Sequence, residues 1–368
     1  MNADVLLAAA LRGDVTPWPT GVSSEFESEL LDAALGHGVA SLLSTASTIS
    51  SWPSTLRDRL VQHRRAAAAA EIVRQQGHVE VLGALADSAV NALVMKGAAL
   101  AYTHYSHPWL RPRLDFDLLV APDDRKNAAE TMGKLGYQPA THFAGELVTY
   151  QSQLRRTDRL GFIDRVDLHW RIANPQVFAS TFTWDELNRE SVPVPQLGPA
   201  ARTLSSVHAL LLACLHRVAH HANSDRLIWL YDIRLLVEAM SPEEIERAAA
   251  MASAKSLQAI TSAGVQRAMA LVAAGGSRSG IERLLERTDD VTGRGAEFLN
   301  HDRAKVDELV SDLRALPGWG ARLRLIREHL LPPAAYMRKT YGFSSPVLLP
   351  FAYARRAVLG AGKWFRVR

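Results

Sequence analysis

Apolar residues recur at helical spacing through the first part of the chain. Residues 25–35, 56–70 and 71–85 each place apolar side chains three or four positions apart, a pattern typical of amphipathic helices. Ser24 precedes the first of these segments, as a residue that begins a helix often does. We therefore predict an N-terminal helical region over residues 1–88.

After residue 88 the helical spacing gives way to short apolar runs and to alternation of apolar with polar residues. Strand-like patterns of this kind occupy residues 92–95, 114–120, 147–154 and 162–170. A helical pattern follows the first run, and another begins at Pro122 and ends before Gly136. These elements predict a sheet with helices packed on it.

The helical pattern returns near residue 204 and continues toward the end of the chain. Segments of helical spacing occupy residues 204–219, 227–240, 242–254 and 257–273. The fold class that we expect is a mixed α/β core over residues 89–200. It is flanked by the N-terminal helical region and by a C-terminal helical domain over residues 201–368.

Composition indicates a globular protein with a substantial core. The chain has 368 residues, of which 48% are hydrophobic, and this is enough for two or three packed units. The single Cys214 excludes an internal disulfide framework and a cysteine-rich zinc site, which agrees with a reducing cytoplasm. We see no export signal, and the longest apolar-rich stretch, near residues 207–215, is shorter than the roughly 20 residues of a transmembrane helix. We expect a cytoplasmic protein.

Positive charge is concentrated at the C-terminal end. The formal net charge is +4, and no acidic residue follows Glu328. Basic residues of this tail are Arg338, Lys339, Arg355, Arg356, Lys363, Arg366 and Arg368. With aromatic residues between them, they suit an RNA backbone or an anionic membrane surface. Alternatively, the tail is a helix that packs on the body and leaves its arginines in solvent.

Two carboxylates lie close together on one predicted strand. Asp115 and Asp117 are two residues apart, so their side chains point to the same face, about 6 to 7 Å apart along the strand. Two like charges so close repel each other unless a cation or water screens them. Paired hard oxygen ligands favour Mg²⁺ or Mn²⁺, and two such ions are a recurring device in phosphoryl and nucleotidyl transfer.

A third carboxylate lies on a later strand. Asp167 and His169 also share one strand face. Asp167 is either a further metal ligand or the base that takes a proton from an acceptor hydroxyl, and the alternative is a solvated residue of an edge strand. His169 either orients a phosphate or substrate, or is a hydrogen-bonded structural residue beside Trp170.

Together these residues resemble a known family. Lys96-Gly97, Arg113, Asp115-Phe116-Asp117 and Asp167-Leu168-His169-Trp170 are similar, in this order, to the motifs of an uncharacterised bacterial nucleotidyltransferase family of the DNA polymerase β type. The similarity covers mainly residues 92–172 and extends into 212–237, which includes His216. The resemblance implies a nucleotidyltransferase core.

The resemblance also implies catalytic roles. Asp115 and Asp117 would bind two Mg²⁺ ions, or Mn²⁺, together with the triphosphate. Asp167 would complete one metal site and help to activate the acceptor.

The superfamily's usual serine after the glycine is replaced here by Ala98, which has no hydroxyl to offer to a triphosphate. Backbone N–H groups at the start of the next helix can still bind phosphate. Lys96 either adds a positive charge to that site or is solvated, and Gly97 either allows a close backbone approach or makes a turn. Arg113 either clamps a phosphate or neutralises Asp115. With His169, these residues form the predicted nucleotide-binding set.

Residues of the C-terminal helices also contribute candidates. Trp229 and Asp232 share a helix face, either as a packing anchor with an ion pair to Arg226 or Arg234, or as the roof of the substrate cleft.

The function that we predict is Mg²⁺-dependent transfer of a nucleoside monophosphate from an NTP, with ATP favoured, to a hydroxyl of a small molecule or peptide product. A toxin-like enzyme that adds nucleotides to tRNA is one alternative. A non-catalytic nucleotide-binding protein with the same fold is the other.

Overall fold

The computed structural model describes residues 2–23, 25–140, 145–158, 161–273, 280–285, 295–300 and 302–364. Ser24, Arg366 and Arg368 lie outside the described residues, and so does the side chain of Lys363.

The N-terminal region is helical, as predicted. Its helices are α1 (Ala3–Arg12), α2 (Phe26–Gly36), α3 (Ala40–Leu43) and α4 (Ser54–Asp87). The two helical segments predicted at 56–70 and 71–85 are one continuous helix of 34 residues. No proline interrupts it after Pro53, so the hydrogen-bond ladder can continue for about 50 Å.

The middle of the chain alternates strands and helices. These elements are β1 (Ala92–Val94), α5 (Lys96–Thr103), β2 (Phe116–Val120), α6 (Arg125–Lys134), β3 (Gln138–Pro139), β4 (Gln151–Thr157), β5 (Ile163–His169), α7 (Gln176–Ala179), α8 (Trp184–Arg189), β6 (Val192–Pro193) and β7 (Arg202–Thr203). Within the described residues the strands form one seven-stranded mixed sheet in the order β3-β4-β5-β2-β1-β7-β6. The predicted mixed α/β fold is confirmed.

Two strand pairs of this sheet determine where the polar residues lie. Strand β2 runs antiparallel to β1 and parallel to β5. In the parallel pair Asp117 lies opposite Asp167. The N–H of Met95 donates to the carbonyl of Asp117 at 3.0 Å, so the chain that leaves β1 passes beside the same residue.

The two faces of the central strands differ in character. Phe116, Leu118 and Val120 alternate onto one face, where they join a core with Val166 and Leu168. Helix α4 contributes residues near its C-terminal end to this core, and α6 also packs there. The opposite face carries the carboxylates and turns toward the larger core.

The larger core joins distant parts of the chain. It contains buried residues of α1, α2 and α3 together with residues of the helices that follow the sheet. Those helices are α9 (Ser206–His220), α10 (Leu227–Ala239), α11 (Pro242–Ala254), α12 (Gln258–Val272) and α13 (Ile281–Leu285). The division of the chain into regions 1–88, 89–200 and 201–368 stays a prediction.

A last group of helices packs beside the sheet. It consists of α14 (Lys305–Ala315), α15 (Gly318–Leu330), α16 (Ala334–Tyr341) and α17 (Leu349–Trp364). Asp312 of α14 accepts a hydrogen bond from the N–H of Gln176 at 2.7 Å, and Glu328 of α15 accepts one from the N–H of Leu147 at 2.9 Å. No helix among the described residues combines the length and the apolar character needed to cross a membrane.

Helix α4 carries a buried ion pair to the segment before β2. Glu71 is buried within α4 and forms a salt bridge with Arg113, whose side chain is also buried. Tyr102 of α5 donates a second hydrogen bond to Glu71. Three separate elements are therefore joined at one carboxylate, while Nε of Arg113 is buried without a hydrogen-bond partner among the described residues.

Replacing Glu71 with alanine leaves the buried Arg113 charge without its partner. We expect Glu71→Ala to lower the free energy of unfolding by about 3 to 5 kcal/mol, measured by urea denaturation. Glu80→Ala is the matched control, since Glu80 is on the same helix but half exposed in its pair with Arg156, and it should cost less than about 1 kcal/mol. Equal losses in the two variants would contradict this account.

Candidate active site

The site lies where β2 and β5 run side by side. Asp117 and Asp167 are direct neighbours in the parallel pair, so their side chains project from the same face of the sheet, as the sequence predicted. His169 lies two residues beyond Asp167 and points to that face as well. The common face of these three residues is a consequence of strand register.

Lys96 and His169 both contact the carboxylate of Asp117. The Nζ of Lys96 donates to Oδ1 of Asp117 at 2.6 Å, and His169 Nε2 lies 2.8 Å from the same oxygen. Asp117 is 6% exposed, so this is a buried, hydrogen-bonded ion pair. Removing one partner of such a pair is strongly destabilising, because it leaves an uncompensated buried charge.

The backbone of Lys96 has an unusual conformation. Its φ is +54°, in the left-handed region that residues with a β-carbon rarely adopt. Lys96 is also the first residue of α5. The strained turn directs the chain from β1 into α5 beside Asp117, and strain of this kind is often found at functional sites.

The three carboxylates have different ionisation properties. Burial opposes the charge on Asp117, but Lys96 and the hydrogen bond from His169 hold its pKa well below the usual range. Burial and the charges of Asp117 and Asp115 raise the pKa of Asp167 to about 6. Burial and Asp117 also raise the pKa of Asp115. The site therefore holds more negative charge than its own residues neutralise.

His169 is neutral at physiological pH. Burial and the positive charge of Lys96 lower its pKa to about 4. Because an ionised Asp117 can only accept, the neutral ring donates its Nε2–H to that carboxylate. His169 thereby fixes the position of Asp117.

The donor atoms of Asp117, Asp167 and His169 fit a metal ion. One ligand atom of each lies within 4.8 Å of the others, and no other group of this kind occurs among the described residues. The two carboxylates suit Mg²⁺ or Mn²⁺, and a cation there would offset the repulsion between them. Because Nε2–H of His169 is donated to Asp117, His169 orients that carboxylate and is not counted as a ligand. Asp115 lies outside this group of three.

Two glutamines of the neighbouring strand orient Asp167. The side-chain amides of Gln151 and Gln153 donate to its Oδ2 at 3.0 and 3.4 Å. Both come from β4, which pairs with β5. The other carboxylate oxygen is thus left to face the site.

An open cavity of about 770 Å³ lies over this face of the sheet. The carboxylates of Asp115, Asp117 and Asp167 lie in its wall, together with Lys96. Helices α9 and α10 form the opposite wall. This volume is in the range of small-molecule sites.

A buried salt bridge joins α10 to the segment between α5 and β2. The guanidinium of Arg111 donates to both oxygens of Asp232, with its Nη2 at 2.7 Å, and Tyr105 donates to the same carboxylate at 2.7 Å. The ion pair that was expected between Asp232 and Arg226 or Arg234 was therefore assigned to the wrong partners. Arg226 and Arg234 carry the same guanidinium group but use it elsewhere: Arg226 donates to the carbonyl of Gly36 at 3.0 Å, and Arg234 donates to Glu238 at 2.7 Å.

Gly97 makes room for that arginine. A β-carbon on Gly97 would lie 2.8 Å from Cζ of Arg111, closer than such contacts allow. The group that lies close to Gly97 in this structure is the guanidinium of Arg111. The close approach of a phosphate, which the sequence suggested, stays a prediction.

Arg113, which the sequence predicted as a phosphate ligand or as a partner of Asp115, forms its salt bridge with Glu71. Its side chain is 2% exposed, although the residue borders the cavity. Its role in binding nucleotide stays a prediction, as do the roles of Lys96, Gly97 and His169.

The far wall of the cavity carries histidines that sequence reasoning did not place at the site. His216, His220 and His221 line it beside Trp229. His216 and His221 share a hydrogen bond between their Nε2 atoms at 3.0 Å, and Nδ1 of His216 is buried without a partner among the described residues. The four-residue spacing of His216 and His220 places both on one helix face and could have indicated this wall. The position of His221 depends on where α9 ends, which the spacing does not show.

These imidazoles are uncharged. Burial and then Lys96 lower the pKa of His220 to about 3 and that of His221 to about 4, and both factors also lower the pKa of His216. Neutral rings can both donate and accept. This wall therefore suits a ligand with hydroxyl groups.

The chain belongs to the family described as "Uncharacterised nucleotidyltransferase", whose sequence model matches residues 24–273. That match includes the whole sheet and the helices around the cavity. Among curated proteins, none matches the chain at a significant level.

A β-carbon at position 97 should displace Arg111 from its bidentate contact. We expect Gly97→Ala to lower the free energy of unfolding by about 1 to 3 kcal/mol, even though alanine is the better helix former. Gly83→Ala is the control, because no atom lies within 4 Å of a β-carbon there, and it should stabilise the protein by up to about 1 kcal/mol. If Gly97→Ala also stabilised the protein in thermal and urea unfolding, the close packing of Arg111 against the backbone of Gly97 would be contradicted.

Proposed function

Because this chain is a member of a nucleotidyltransferase family, we propose that it transfers a nucleoside monophosphate from an NTP, with ATP favoured, to a hydroxyl of a small molecule or peptide product. Pyrophosphate is the second product. We place the protein, as part of the same proposal, with the bacterial enzymes of the DNA polymerase β type.

The observation that carries this proposal is the group of carboxylates around Lys96. Asp117 and Asp167 are adjacent on parallel strands, and Asp115 precedes Asp117 by two residues at the same cavity. Oxygen ligands on one rigid sheet face are the arrangement that two-metal phosphoryl transfer requires. The raised pKa of Asp167 supports a cation-binding role.

Asp117 and Asp167 would hold Mg²⁺, or Mn²⁺, with Asp115 as the further ligand that a second ion needs. When bound, the metal supplies positive charge to the phosphates and to the attacking oxygen.

The chain's own residues position the triphosphate. Lys96 provides an ammonium group at the cavity wall, next to the start of α5. The first N–H groups of α5 have no partner within the helix and lie at the positive end of its dipole, so they favour a phosphate. These groups would bind the triphosphate without the serine hydroxyl that Ala98 replaces.

Asp167 and the histidine wall serve the acceptor. With a pKa of about 6, Asp167 is mostly ionised at neutral pH and is basic enough to accept a proton from a hydroxyl, unless its oxygens are taken up in metal binding. His216 and His220 face the cavity from the other side and can bind the acceptor's hydroxyl groups. The acceptor then lies between the imidazoles and the carboxylates, where its oxygen can be aligned with the phosphorus.

Transfer should depend on Asp117. We expect label from an α-³²P-labelled NTP, incubated with Mg²⁺ and a metabolite extract, to move to an acceptor, and Asp117→Asn to reduce the rate by about 100-fold or more. Asp123→Asn is the control, since Asp123 is an exposed residue beyond β2, and it should retain full activity. A parallel reaction with tRNA in place of the extract distinguishes the toxin-like alternative.

A wild-type protein that releases no pyrophosphate with either acceptor would contradict the enzymatic proposal. It would favour a nucleotide-binding protein that has lost catalysis.

Metal binding should depend on both central carboxylates. In calorimetric titrations with Mn²⁺, we expect Asp117→Asn and Asp167→Asn each to weaken binding by at least about tenfold, because each removes a charged ligand. The same Asp123→Asn protein should bind Mn²⁺ like the wild type. Unchanged Mn²⁺ affinity in both site variants would rule out the proposed metal site.

A further inference from the structure

Exposed apolar side chains are concentrated in the helices that follow the family match. Of the nineteen large apolar side chains that are exposed in the described residues, ten lie between Val310 and Leu359. The family match ends at residue 273. The surface that these helices carry is therefore separate from the part of the chain that defines the family.

Helix α15 has an apolar stripe on its outer face. Trp319 is 75% exposed, Leu323 is 62% exposed and Leu330 is 59% exposed. At 100° per residue these three positions lie within about 40° of one another around the helix axis. A surface helix normally buries such a stripe, so the exposed stripe on α15 needs a partner.

Helix α17 repeats the arrangement. Phe351 is 70% exposed and Val358 is 76% exposed, and they lie two helical turns apart on one face, next to Leu359. The inward residue of this helix is Ala352, which is buried. The hydroxyl of Tyr353 donates to the carbonyl of Pro332 at 2.6 Å, which ties α17 to the chain just after α15. We call the two stripes together the C-terminal patch: Trp319, Leu323, Leu330, Phe351, Val358 and Leu359.

The charged residues that follow α15 are all basic. No acidic residue follows Glu328, so α16 and α17 carry only basic charged residues. Arg338 and Lys339 lie in the last turn of α16. Arg355 lies in α17, between Phe351 and Val358 in the sequence. Arg322 lies over the ring of Trp319, with its Cζ 5.5 Å from the ring centre. Apolar side chains with arginine beside them are the composition of helices that lie in the surface of an anionic bilayer.

We propose that the C-terminal patch binds the surface of a bilayer that contains anionic phospholipids. The apolar side chains enter the boundary between headgroups and acyl chains, and the basic residues contact the headgroups. RNA would use the basic residues, but it gives aliphatic side chains such as Val358 and Leu359 nothing to bury against. This surface is independent of the proposed catalytic function.

The consequence of this binding is that the catalytic sheet is held at the membrane. Glu328 of α15 accepts a hydrogen bond from the N–H of Leu147, which precedes β4. Lys339 of α16 donates to the carbonyl of Ala140, which follows β3, at 2.9 Å. These contacts tie the helices that carry the patch to the sheet that carries the carboxylates. A bilayer surface would thereby determine which acceptors reach the cavity.

Vesicle co-sedimentation of the full-length protein tests this proposal. With vesicles of equal parts phosphatidylglycerol and phosphatidylcholine, we expect most of the protein to sediment, and with phosphatidylcholine alone much less. Each basic residue near an anionic surface contributes a factor of about five to the partition coefficient, so raised salt should release the protein. The triple variant Phe351→Ser, Val358→Ser, Leu359→Ser should lower the partition coefficient by at least about tenfold.

The matched control removes as many exposed apolar residues elsewhere. Val5, Val15 and Ile72 are 62%, 86% and 63% exposed, and their triple serine variant should bind the vesicles like the wild type. Unfolding curves establish that both variants are folded, and Trp319→Ser with Leu323→Ser supplies a second test if the first variant does not fold. The proposal is overturned if the wild type stays in the supernatant with anionic vesicles, or if both triple variants bind equally. Binding to tRNA that survives the serine substitutions would instead assign the surface to RNA.

Discussion

The site depends on the contacts that Lys96 and His169 make with the buried carboxylate of Asp117. A carboxylate this deeply buried is costly to ionise, and Lys96 and His169 together keep it ionised. Once Asp117 is charged, its neighbours Asp167 and Asp115 become harder to ionise, and the sheet face acquires an unbalanced negative charge. That imbalance would favour a cation at this face.

Buried ion pairs from distant segments hold this site in place. Arg111 and Asp232 are 121 residues apart in the sequence, and their contact fixes α10 against the segment between α5 and β2. The pair of Glu71 and Arg113 holds α4 against the segment that precedes β2. Tyr105 and Tyr102 donate further hydrogen bonds to the two carboxylates, which offsets part of the cost of burying these charges. The two arginines are thus used to assemble the cavity, and Lys96 is the cation that faces the carboxylates.

The sequence indicated the central strands and the common face of the carboxylates because strand alternation is a local property. Asp117 and Asp167 could be assigned to one face, and their neighbouring positions then followed from parallel pairing. The partners of Arg111 and Arg113 could not be predicted, because they come from helices whose placement depends on the packing of the whole chain. The same holds for the histidine wall, since His221 reaches His216 because α9 ends at His220 and His221 leaves the helical conformation, with φ of −130°. The sequence pattern predicts two segments where the structure has the single helix α4, because apolar residues recur only weakly in its alanine-rich middle.

A crystal structure of the protein with Mn²⁺ and a non-hydrolysable ATP analogue tests the central claim most directly, since anomalous scattering locates the metal. The account predicts at least one Mn²⁺ bound by carboxylate oxygens of both Asp117 and Asp167, with the triphosphate at the start of α5. A structure with the analogue bound elsewhere, and with Lys96 alone neutralising Asp117, would contradict it.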